Sequence, residues 1–591
     1  MVMSVRIVSL LIANSMILGC SFLPVQQPKE EPEQLTPVEV QSPVGPVVTE
    51  PSRPDKTTNK PFPAATLYSL LVAEVAGQRQ QFEISLVNYL DQAQKTLDPG
   101  IAERATRIAQ YLGSAQYTLE AAKVWVTSSP FEAQAHQALA LAFMSVGDFP
   151  SALNHMESVL QIAGASQFDY LALNAQSLKR SDKLNLLSQF EQLTQKYPDY
   201  AQLWMAQGSL LLQLEDYPAA LISLDNALAL REKYTVAALS KARVLHKLER
   251  TEEALIWLDE LHTNMPKHKG IGVLRARILI DLKRYSEARA AFQYLAQLFN
   301  DDISIQLSLA LLHIELEEFD EAIVLLSALT LQDKVADEAY FYLARIAELQ
   351  EDDQRAIRNY RQVRQGRQFL PALLKISKLL IKLEGINAAR DYISHRRSEF
   401  PNYNAELVQL EIELLIQHDD YPNAYRLADE ALRDSPDDTD LLYSRGLLAQ
   451  EMGNLDQLET DLRRIIELQP NNAEAMNALG YTLANQTDRI DEALVLIQQA
   501  LALSPDNPAI IDSLGWAYYR LGDLPQALEL LQRAFKSFPD HEVAAHLGEV
   551  LWQLQRTEEA QSIWQQGLDQ EPDSPIIKNT LERLNVEQPA K

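Results

Sequence analysis

The sequence DNPAIIDSLGWAYYRLGDLPQALELLQRAFKSFP, residues 506–539, contains two apolar, alanine-rich helical patterns on either side of a Leu-Gly-Asp turn. Gly515 on the first pattern and Ala527 on the second have little or no side chain, so two antiparallel helices can approach closely there. Ala534 leaves similar room for a following helix. Pro539 lacks a backbone N–H and ends the second pattern. The stretch therefore predicts a helical hairpin that stacks on further hairpins.

This pattern recurs along most of the chain. In the C-terminal part, the prolines that end each hairpin are 33 to 35 residues apart, at Pro401, Pro436, Pro470, Pro505, Pro539 and Pro572. Upstream, the small residue of the second helix lies on a 34-residue grid, at Ala152, Ala220, Ala254, Ala288, Ala322, Ala356 and Ala424. Leu186 and Leu458 occupy two other grid points, and at Arg390 the alanine has moved to Ala389. Such a period predicts a solenoid, in which each hairpin packs only on its neighbours.

The residue types at these offsets resemble the tetratricopeptide (TPR) repeat, on the positions Leu514, Gly515, Tyr518, Ala527, Ala534 and Pro539. The resemblance implies an all-α fold, a TPR solenoid wound as a right-handed superhelix of antiparallel helix pairs. Counting from Ala64, the period allows roughly 14 or 15 hairpins, and those around Leu186 and Leu458 match worst. We expect more than one superhelical turn, with the first helix of each pair lining an inner groove.

The beginning of the chain has the pattern of a lipoprotein leader. Residues 1–19 contain Arg6 followed by an apolar run that is much shorter than the roughly 20 residues a membrane-spanning helix needs. The run ends in Ile-Leu-Gly-Cys20, which resembles the bacterial lipobox and implies a lipidated Cys20, with palmitate among its acyl chains. Ser21 follows instead of Asp, which implies the periplasmic face of the outer membrane. A cleaved signal peptide with an incidental cysteine is the alternative.

The rest of the chain divides by composition into four segments. Residues 20–63 combine the lipidated cysteine with a proline-rich tether, which we expect to be disordered. Residues 64–130 predict divergent helical hairpins, interrupted near Asp98-Pro99-Gly100, and residues 131–573 predict the TPR solenoid without an obvious break. Residues 574–591 predict a capping helix and a frayed tail.

Two regions carry a more specific resemblance. The run LYSLLVAEVAGQRQQFEISLVNYLDQA at 67–93, followed by DPGIAERATRIAQYL at 98–112, is similar to the start of gammaproteobacterial outer-membrane TPR lipoproteins. Residues 478–501 and 512–522 resemble the same proteins. These proteins are adaptors of a periplasmic carboxyl-terminal processing protease. The resemblance implies that this chain binds such a protease and its substrates, notably peptidoglycan cross-link hydrolases. The alternative is an assembly factor for an outer-membrane secretion, pilus or polysaccharide-export complex.

The charge of the chain excludes one class of partner and marks one candidate surface. The net charge is −28, and a nucleic-acid groove needs clustered cations, so we expect no nucleic-acid partner. Between Arg355 and Arg397, however, the sequence contains eleven Lys and Arg but only two acids. We expect five arginines of this basic island to advance along one second helix, at Arg355, Arg358, Arg361, Arg364 and Arg367. The island either docks an acidic partner, with the first four as binding residues, or forms an internally paired surface.

No pattern in the sequence predicts catalysis, a cofactor or a metal site. His541 and His546 are five residues apart, one too many for the zincin motif H-E-x-x-H. Gly270-Ile271-Gly272 lacks the third glycine and the preceding strand of a phosphate loop. We expect the tryptophans to lie mostly at packing positions, namely Trp204, Trp257, Trp516, Trp552 and Trp564. The sequence thus favours a non-enzymatic binding protein, which contacts the membrane only through its lipid.

A substitution at the lipobox tests the predicted anchor. In cells, Cys20→Ser should abolish incorporation of labelled palmitate and move the protein from the membrane fraction to the soluble periplasmic fraction, because thioether-linked lipid supplies the membrane affinity. Ser21→Ala, which keeps the cysteine, should remain membrane-bound. Unchanged fractionation of Cys20→Ser would show that lipid at this residue is not the anchor.

Overall fold

The computed structural model describes residues 63–586, which form 31 α-helices and two short 3-10 turns. The predicted leader at 1–19, the tether up to residue 62 and the last five residues lie outside this range. None of the helices within it combines the length and apolar content needed to cross a bilayer. Contacts divide the described chain into two compact units that meet between Leu329 and Thr330. This boundary falls inside the segment that the sequence predicts as one solenoid.

The first unit contains eight helix pairs. Its helices are α1 Ala64–Gln78, α2 Phe82–Thr96, α3 Pro99–Tyr111, α4 Ala115–Ser128, α5 Ala133–Ser145, α6 Phe149–Ala163, α7 Phe168–Asn174, α8 Arg180–Lys196, α9 Ala201–Gln213, α10 Tyr217–Leu230, α11 Thr235–Lys247, α12 Thr251–Asn264, α13 Lys269–Asp281, α14 Tyr285–Leu298, α15 Ile303–Glu315 and α16 Phe319–Leu329. The pair α7/α8 is irregular, because α7 is only seven residues long and continues into a 3-10 turn. This is the pair around Leu186, where the sequence pattern is weak.

The second unit contains seven pairs and a final single helix. Its helices are α17 Ala336–Leu349, α18 Asp353–Tyr360, α19 Phe369–Glu384, α20 Ile386–Glu399, α21 Asn404–Gln417, α22 Tyr421–Asp434, α23 Thr439–Glu451, α24 Leu455–Leu468, α25 Ala473–Gln486, α26 Ile490–Leu503, α27 Pro508–Leu521, α28 Leu524–Ser537, α29 His541–Gln553, α30 Thr557–Gln570 and α31 Pro575–Leu584. The described range therefore holds fifteen pairs, in agreement with the number that the period predicts. The all-α fold is confirmed.

Small residues determine how closely the two helices of a pair approach. A Cβ atom placed on Gly515 would lie 2.7 Å from Cγ of Leu531 on the paired helix. Ala527 and Ala534 are fully buried, and so are all seven alanines of the upstream 34-residue grid. Ala534 packs with Ile511 and Val543 of the neighbouring first helices. The small residues therefore act at the contacts that the sequence predicts.

The turns between paired helices share one backbone conformation although their residues differ. Eight of them contain a non-glycine residue at a positive φ near 60°, namely Gln80, Glu215, Glu249, Lys283, Glu317, Glu351, Asp419 and Gln555. In other turns a glycine has this role, as Gly522 does at φ 91°. For residues other than glycine this conformation is unfavourable by roughly 1–2 kcal/mol. The stacking of the pairs must impose the turn, since residue preference does not select it.

One predicted helix is wrong. We expected five arginines to share a second helix, but α18 ends at Tyr360, and Arg361, Arg364 and Arg367 follow it in the connection to α19. The buried Val363 and the positive φ of Gly366 interrupt the helical path. The main-chain N–H of Arg364 donates to the Asp337 carboxylate at 2.6 Å and not to a helical carbonyl.

The closest helix contact predicts a sensitive glycine. A Cβ on Gly548 would lie 2.2 Å from Nε1 of the fully buried Trp564. Gly548→Ala should therefore lower the free energy of unfolding by about 1–3 kcal/mol through overpacking, measured by chemical denaturation. Gly77→Ala is the matched control, because its Cβ would make only an ordinary 3.4 Å contact with Ser85. The control should be neutral or gain up to about 1 kcal/mol of helix propensity; equal losses in both variants would contradict this account.

Candidate functional site

In the second unit, first helices of successive pairs lie side by side. Helix α25 packs on α27, α27 on α29, and α29 on α31. Hydrogen bonds also cross from one first helix to the next, as between Gln409 Nε2 of α21 and Ser444 Oγ of α23 at 2.9 Å. We call the row of first helices α21, α23, α25, α27 and α29 the first-helix surface. Its exposed residues lie mainly on α21, α23 and α25, whereas 508–520 of α27 and 541–551 of α29 contain no exposed residue. First helices are the part of the repeat that the sequence predicts for recognition.

A buried polar network connects α27, α29 and α31 at the C-terminal end of this surface. His546 Nδ1 of α29 lies 2.9 Å from the Asp512 carboxylate of α27. Glu549 accepts hydrogen bonds from the Tyr519 hydroxyl at 2.7 Å and from both terminal nitrogens of Arg583 on α31, at 2.7 and 2.5 Å. The final helix is thus attached by a bidentate ion pair as well as by apolar packing.

The electrostatics of this network favour the protonated form of His546. Burial by itself would lower the pKa of the His546 imidazole, but the adjacent Asp512 carboxylate raises it above its usual value. Burial, reinforced by the hydrogen bond to Glu549, likewise raises the pKa of the Tyr519 hydroxyl. His541, the other half of the apparent zincin motif, has its Nδ1 2.9 Å from Ser574 Oγ. Both histidines therefore have structural partners, and the motif does not form a metal site.

Aromatic rings lie beside the network. The indole of Trp516 stacks on the His546 ring, with centroids 4.2 Å apart, and lies 4.9 Å from the Tyr519 ring. Tyr481 of α25 is 6.0 Å from His546 on another side. The Trp516 Nε1–H donates to the Asn485 side chain at 3.1 Å. Of the predicted packing tryptophans, Trp564 is completely buried, whereas Trp204, Trp257 and Trp552 are partly exposed.

The basic island is largely neutralised by neighbouring acids. Seven of its eleven cations make ion pairs, at Arg355, Arg367, Lys375, Lys382, Arg390, Arg396 and Arg397. The other four, Arg358, Arg361, Arg364 and Lys378, are exposed. Arg361 lies over the ring of Tyr392, at 5.4 Å from its centroid. Of the four predicted binding arginines, Arg355 is paired with Asp352. The pairing agrees with the alternative of a paired surface, and docking through the island stays a prediction.

The N-terminal pair has an inverted pattern of side-chain sizes. Helix α1 buries Ala73 and Ala76, while Leu67, Tyr68 and Leu71 are 53%, 71% and 57% exposed. Val75, one turn further, is 45% exposed, and Ile84 and Val87 of the paired helix α2 are 48% and 56% exposed. We call these six residues the α1 face. Large apolar side chains at i, i+4 and i+8 normally face a core, so the sequence alone suggests burial and does not reveal this exposed face.

Comparisons with known proteins agree with this architecture. Models described as Tetratricopeptide repeat match residues 187–235, 279–346, 443–508, 484–547 and 521–584. TPR repeat-containing protein PA4667 of Pseudomonas aeruginosa is 40% identical over 490 residues, which are 83% of this chain and 82% of that protein. The chain belongs to the TPR family. As a TPR protein it is a scaffold for protein–protein interaction.

Two further similarities are more limited. Cellulose synthase 2 operon protein C of Komagataeibacter xylinus is 31% identical to this TPR chain over 126 residues, 21% of this chain and 10% of that protein. A solved structure of the APC/C hetero-tetramer Cut9-Hcn1 contains a chain that is 14% identical, with coverage of 88% and 96% and a TM-score of 0.28.

The pKa values of two histidines should be shifted in opposite directions from that of a free histidine. His155, half-buried with its Nδ1 2.9 Å from Nδ1 of His136, has a pKa lowered by burial and then by that neighbour. It should lose its proton at a lower pH than a free histidine. Because His155 binds a proton less readily in the folded than in the unfolded protein, the free energy of unfolding decreases as the pH falls below about 6.5. The raised pKa of His546 has the opposite effect on stability. Its stabilisation of the folded protein is complete below about pH 6.5 and is lost as the pH rises through the folded-state pKa.

Carbon-13 NMR of the labelled histidine rings measures both midpoints. Asp512→Asn removes the carboxylate beside His546 and should lower the His546 midpoint while that of His155 stays in place. A His546 midpoint below that of an exposed histidine in the unaltered protein would contradict the ion pair.

Proposed function

We propose that this TPR protein is a non-catalytic adaptor that binds a carboxyl-terminal processing protease and delivers protein substrates to it, peptidoglycan cross-link hydrolases among them. It acts at the periplasmic face of the outer membrane, attached by lipid on Cys20. By holding enzyme and substrate in one complex, the adaptor raises their effective concentration for each other. The sequence resemblance at 67–93 and 98–112 suggests this partner, and the α1 face is the structural observation that supports it.

The α1 face has the properties of a docking surface. A solenoid needs a polar outer side on its terminal repeats to remain soluble. The C-terminal helix α31 meets this requirement, because it buries Ile577 and Leu581 and exposes charged residues. Helix α1 does not, since its exposed residues include Leu67 and Leu71. An exposed apolar stripe rimmed by polar residues is typical of a protein interface, and here it lies in the segment that resembles the protease adaptors.

Charge substitutions on the α1 face test protease docking. Leu71→Glu combined with Val75→Glu should abolish capture of the protease in a pulldown, because two charges would be buried at the interface. Val324→Glu combined with Val495→Glu is the control, since both valines are exposed on second helices. Both variants should keep the circular dichroism of the unaltered protein. Undiminished capture by the α1 variant would exclude this face as the docking element.

A second candidate function is assembly of an outer-membrane export complex. The similarity over 126 residues to Cellulose synthase 2 operon protein C gives it some support. Affinity capture of the tagged, lipidated protein from cells, with mass spectrometry of the bound proteins, separates the two functions. A processing protease together with cell-wall hydrolases supports the adaptor. A stoichiometric export apparatus without a protease would replace the adaptor by the assembly factor.

A further inference from the structure

The first-helix surface is acidic and poor in cations. Its five helices carry nine acids, two arginines and no lysine. The arginines are directed elsewhere: Arg445 pairs with Asp429 and Asp461 of second helices, and Arg520 donates to the Asn485 carbonyl. Neither arginine therefore neutralises the acids of this surface.

Most of these acids make no salt bridge within the described part of the chain. Three of the nine are paired, since Asp512 bonds His546, Glu549 bonds Arg583, and Glu411 pairs with arginines of α20. The other six make no salt bridge with any residue in the range 63–586, and they are Glu406, Glu413, Asp440, Glu451, Glu474 and Glu542.

The unpaired carboxylates are arranged in register. Glu406, Asp440, Glu474 and Glu542 occupy the same position near the start of four first helices, at intervals of 34, 34 and 68 residues. Only Pro508 interrupts the row, on α27. Residues at i+3 and i+7 share a face with each acid, and these include Asn477 and Tyr481 on α25. The row therefore borders the aromatic cluster around Trp516.

Buried oxygens on this surface lack partners. Glu542 is only 7% exposed, and no hydrogen bond of its carboxylate to a residue in 63–586 is present. Its nearest charged neighbours are Asp540, His546 and Asp512, and burial raises its pKa to about 7. Oε1 of Glu451 and Oδ1 of Asn477 are also buried without a hydrogen-bond partner. A desolvated acceptor without a donor costs about 1–3 kcal/mol, so these oxygens are suited to a donor supplied by a ligand.

We propose that the first-helix surface of α21 to α29 binds an extended, lysine- and arginine-rich segment of a client protein. Glu406, Asp440, Glu474 and Glu542 pair with successive cations of that segment. This proposal deepens the adaptor function and rests on it, because it gives the chemistry of the delivered substrate.

Spacing refines the ligand. Adjacent packed helices are about 8–10 Å apart, and an extended segment in the polyproline II conformation rises about 3.1 Å per residue with three residues per turn. Cations at every third residue of a client segment would therefore meet successive carboxylates of the row. Other occupants fit less well. A second copy of a chain with net charge −28 would be repelled, and no group of three metal-ligating side chains is present in residues 63–586.

Peptide binding tests this assignment directly. The probe is a fluorescent 15-residue peptide with lysine at every third position and Ala and Ser between, and the reference peptide has glutamate in place of lysine. The chain carrying Cys20→Ser is used for solubility, and fluorescence anisotropy is recorded at several salt concentrations. The lysine peptide should bind, with an affinity that falls as salt rises, and the glutamate peptide should not.

Matched charge variants locate the site. Glu406→Gln, Asp440→Asn and Glu474→Gln together should weaken binding by about tenfold or more, as expected from the loss of three ion pairs. The control carries Glu430→Gln, Asp491→Asn and Glu529→Gln, which remove the same charges from exposed positions on second helices. The control should change the affinity less than about twofold. All six sites are exposed, so both variants should fold, and Glu542→Gln adds a second, buried test.

The outcomes separate this inference from the adaptor function. Equal weakening in both triple variants would mean that only net charge matters and would overturn the site. Tight binding of the glutamate peptide, or no binding of the lysine peptide, would overturn the ligand class. Protease capture through the α1 face is measured in the same variants. If the protease is captured but the lysine peptide does not bind, the inference fails and the adaptor function stands. If the lysine peptide binds at the row but the protease is not captured, the acidic site stands and the adaptor function fails.

Discussion

The close contact between the two helices of each pair is the constraint on which the other features depend. At Gly515 and Gly548 an added Cβ would overlap the partner helix, at Leu531 and Trp564. Fully buried alanines serve at the equivalent contacts upstream, for example Ala276 and Ala310. The separation of the paired helices therefore depends on a small residue of one helix packing against a large side chain of the other. Each pair then presents the same surface to its neighbour, and identical stacking can continue along the chain.

This constraint divides the work between the two kinds of helix. Core contacts use one side of each first helix, so its other side is free to carry polar and aromatic residues at little cost to packing. In the second unit that freedom has produced the network of Asp512, His546, Glu549 and Arg583, which links helices of adjacent pairs. The same side carries the unpaired carboxylates. Stability and recognition therefore depend on different residues of the same helices.

Charge is distributed unevenly along the second unit. On α18 to α20 half of the cations meet an acid of a neighbouring helix, as Lys382 meets Asp353 and Arg390 meets Glu411. On the first-helix surface from α21 onward, six carboxylates have no such partner among the described residues. Ion pairing between neighbours gives modest stabilisation, whereas unpaired, partly desolvated acids have an electrostatic potential that favours a cationic ligand. The basic island is thus easier to recognise in the sequence than the acidic row, but most of its cations already have an acidic partner.

The sequence by itself determined the helix pairs and their period, because small residues recur at the helix contacts and prolines recur where second helices end. It also indicated where the pattern weakens, around Leu186. Only the tertiary structure decided where α18 ends, since the Asp337 carboxylate that holds Arg364 is distant in sequence. It likewise decided that α1 turns its leucines outward, and which carboxylates remain unpaired. These outcomes depend on neighbours one repeat or more away, as Glu549 depends on Arg583, and helical periodicity within one segment carries no information about such partners.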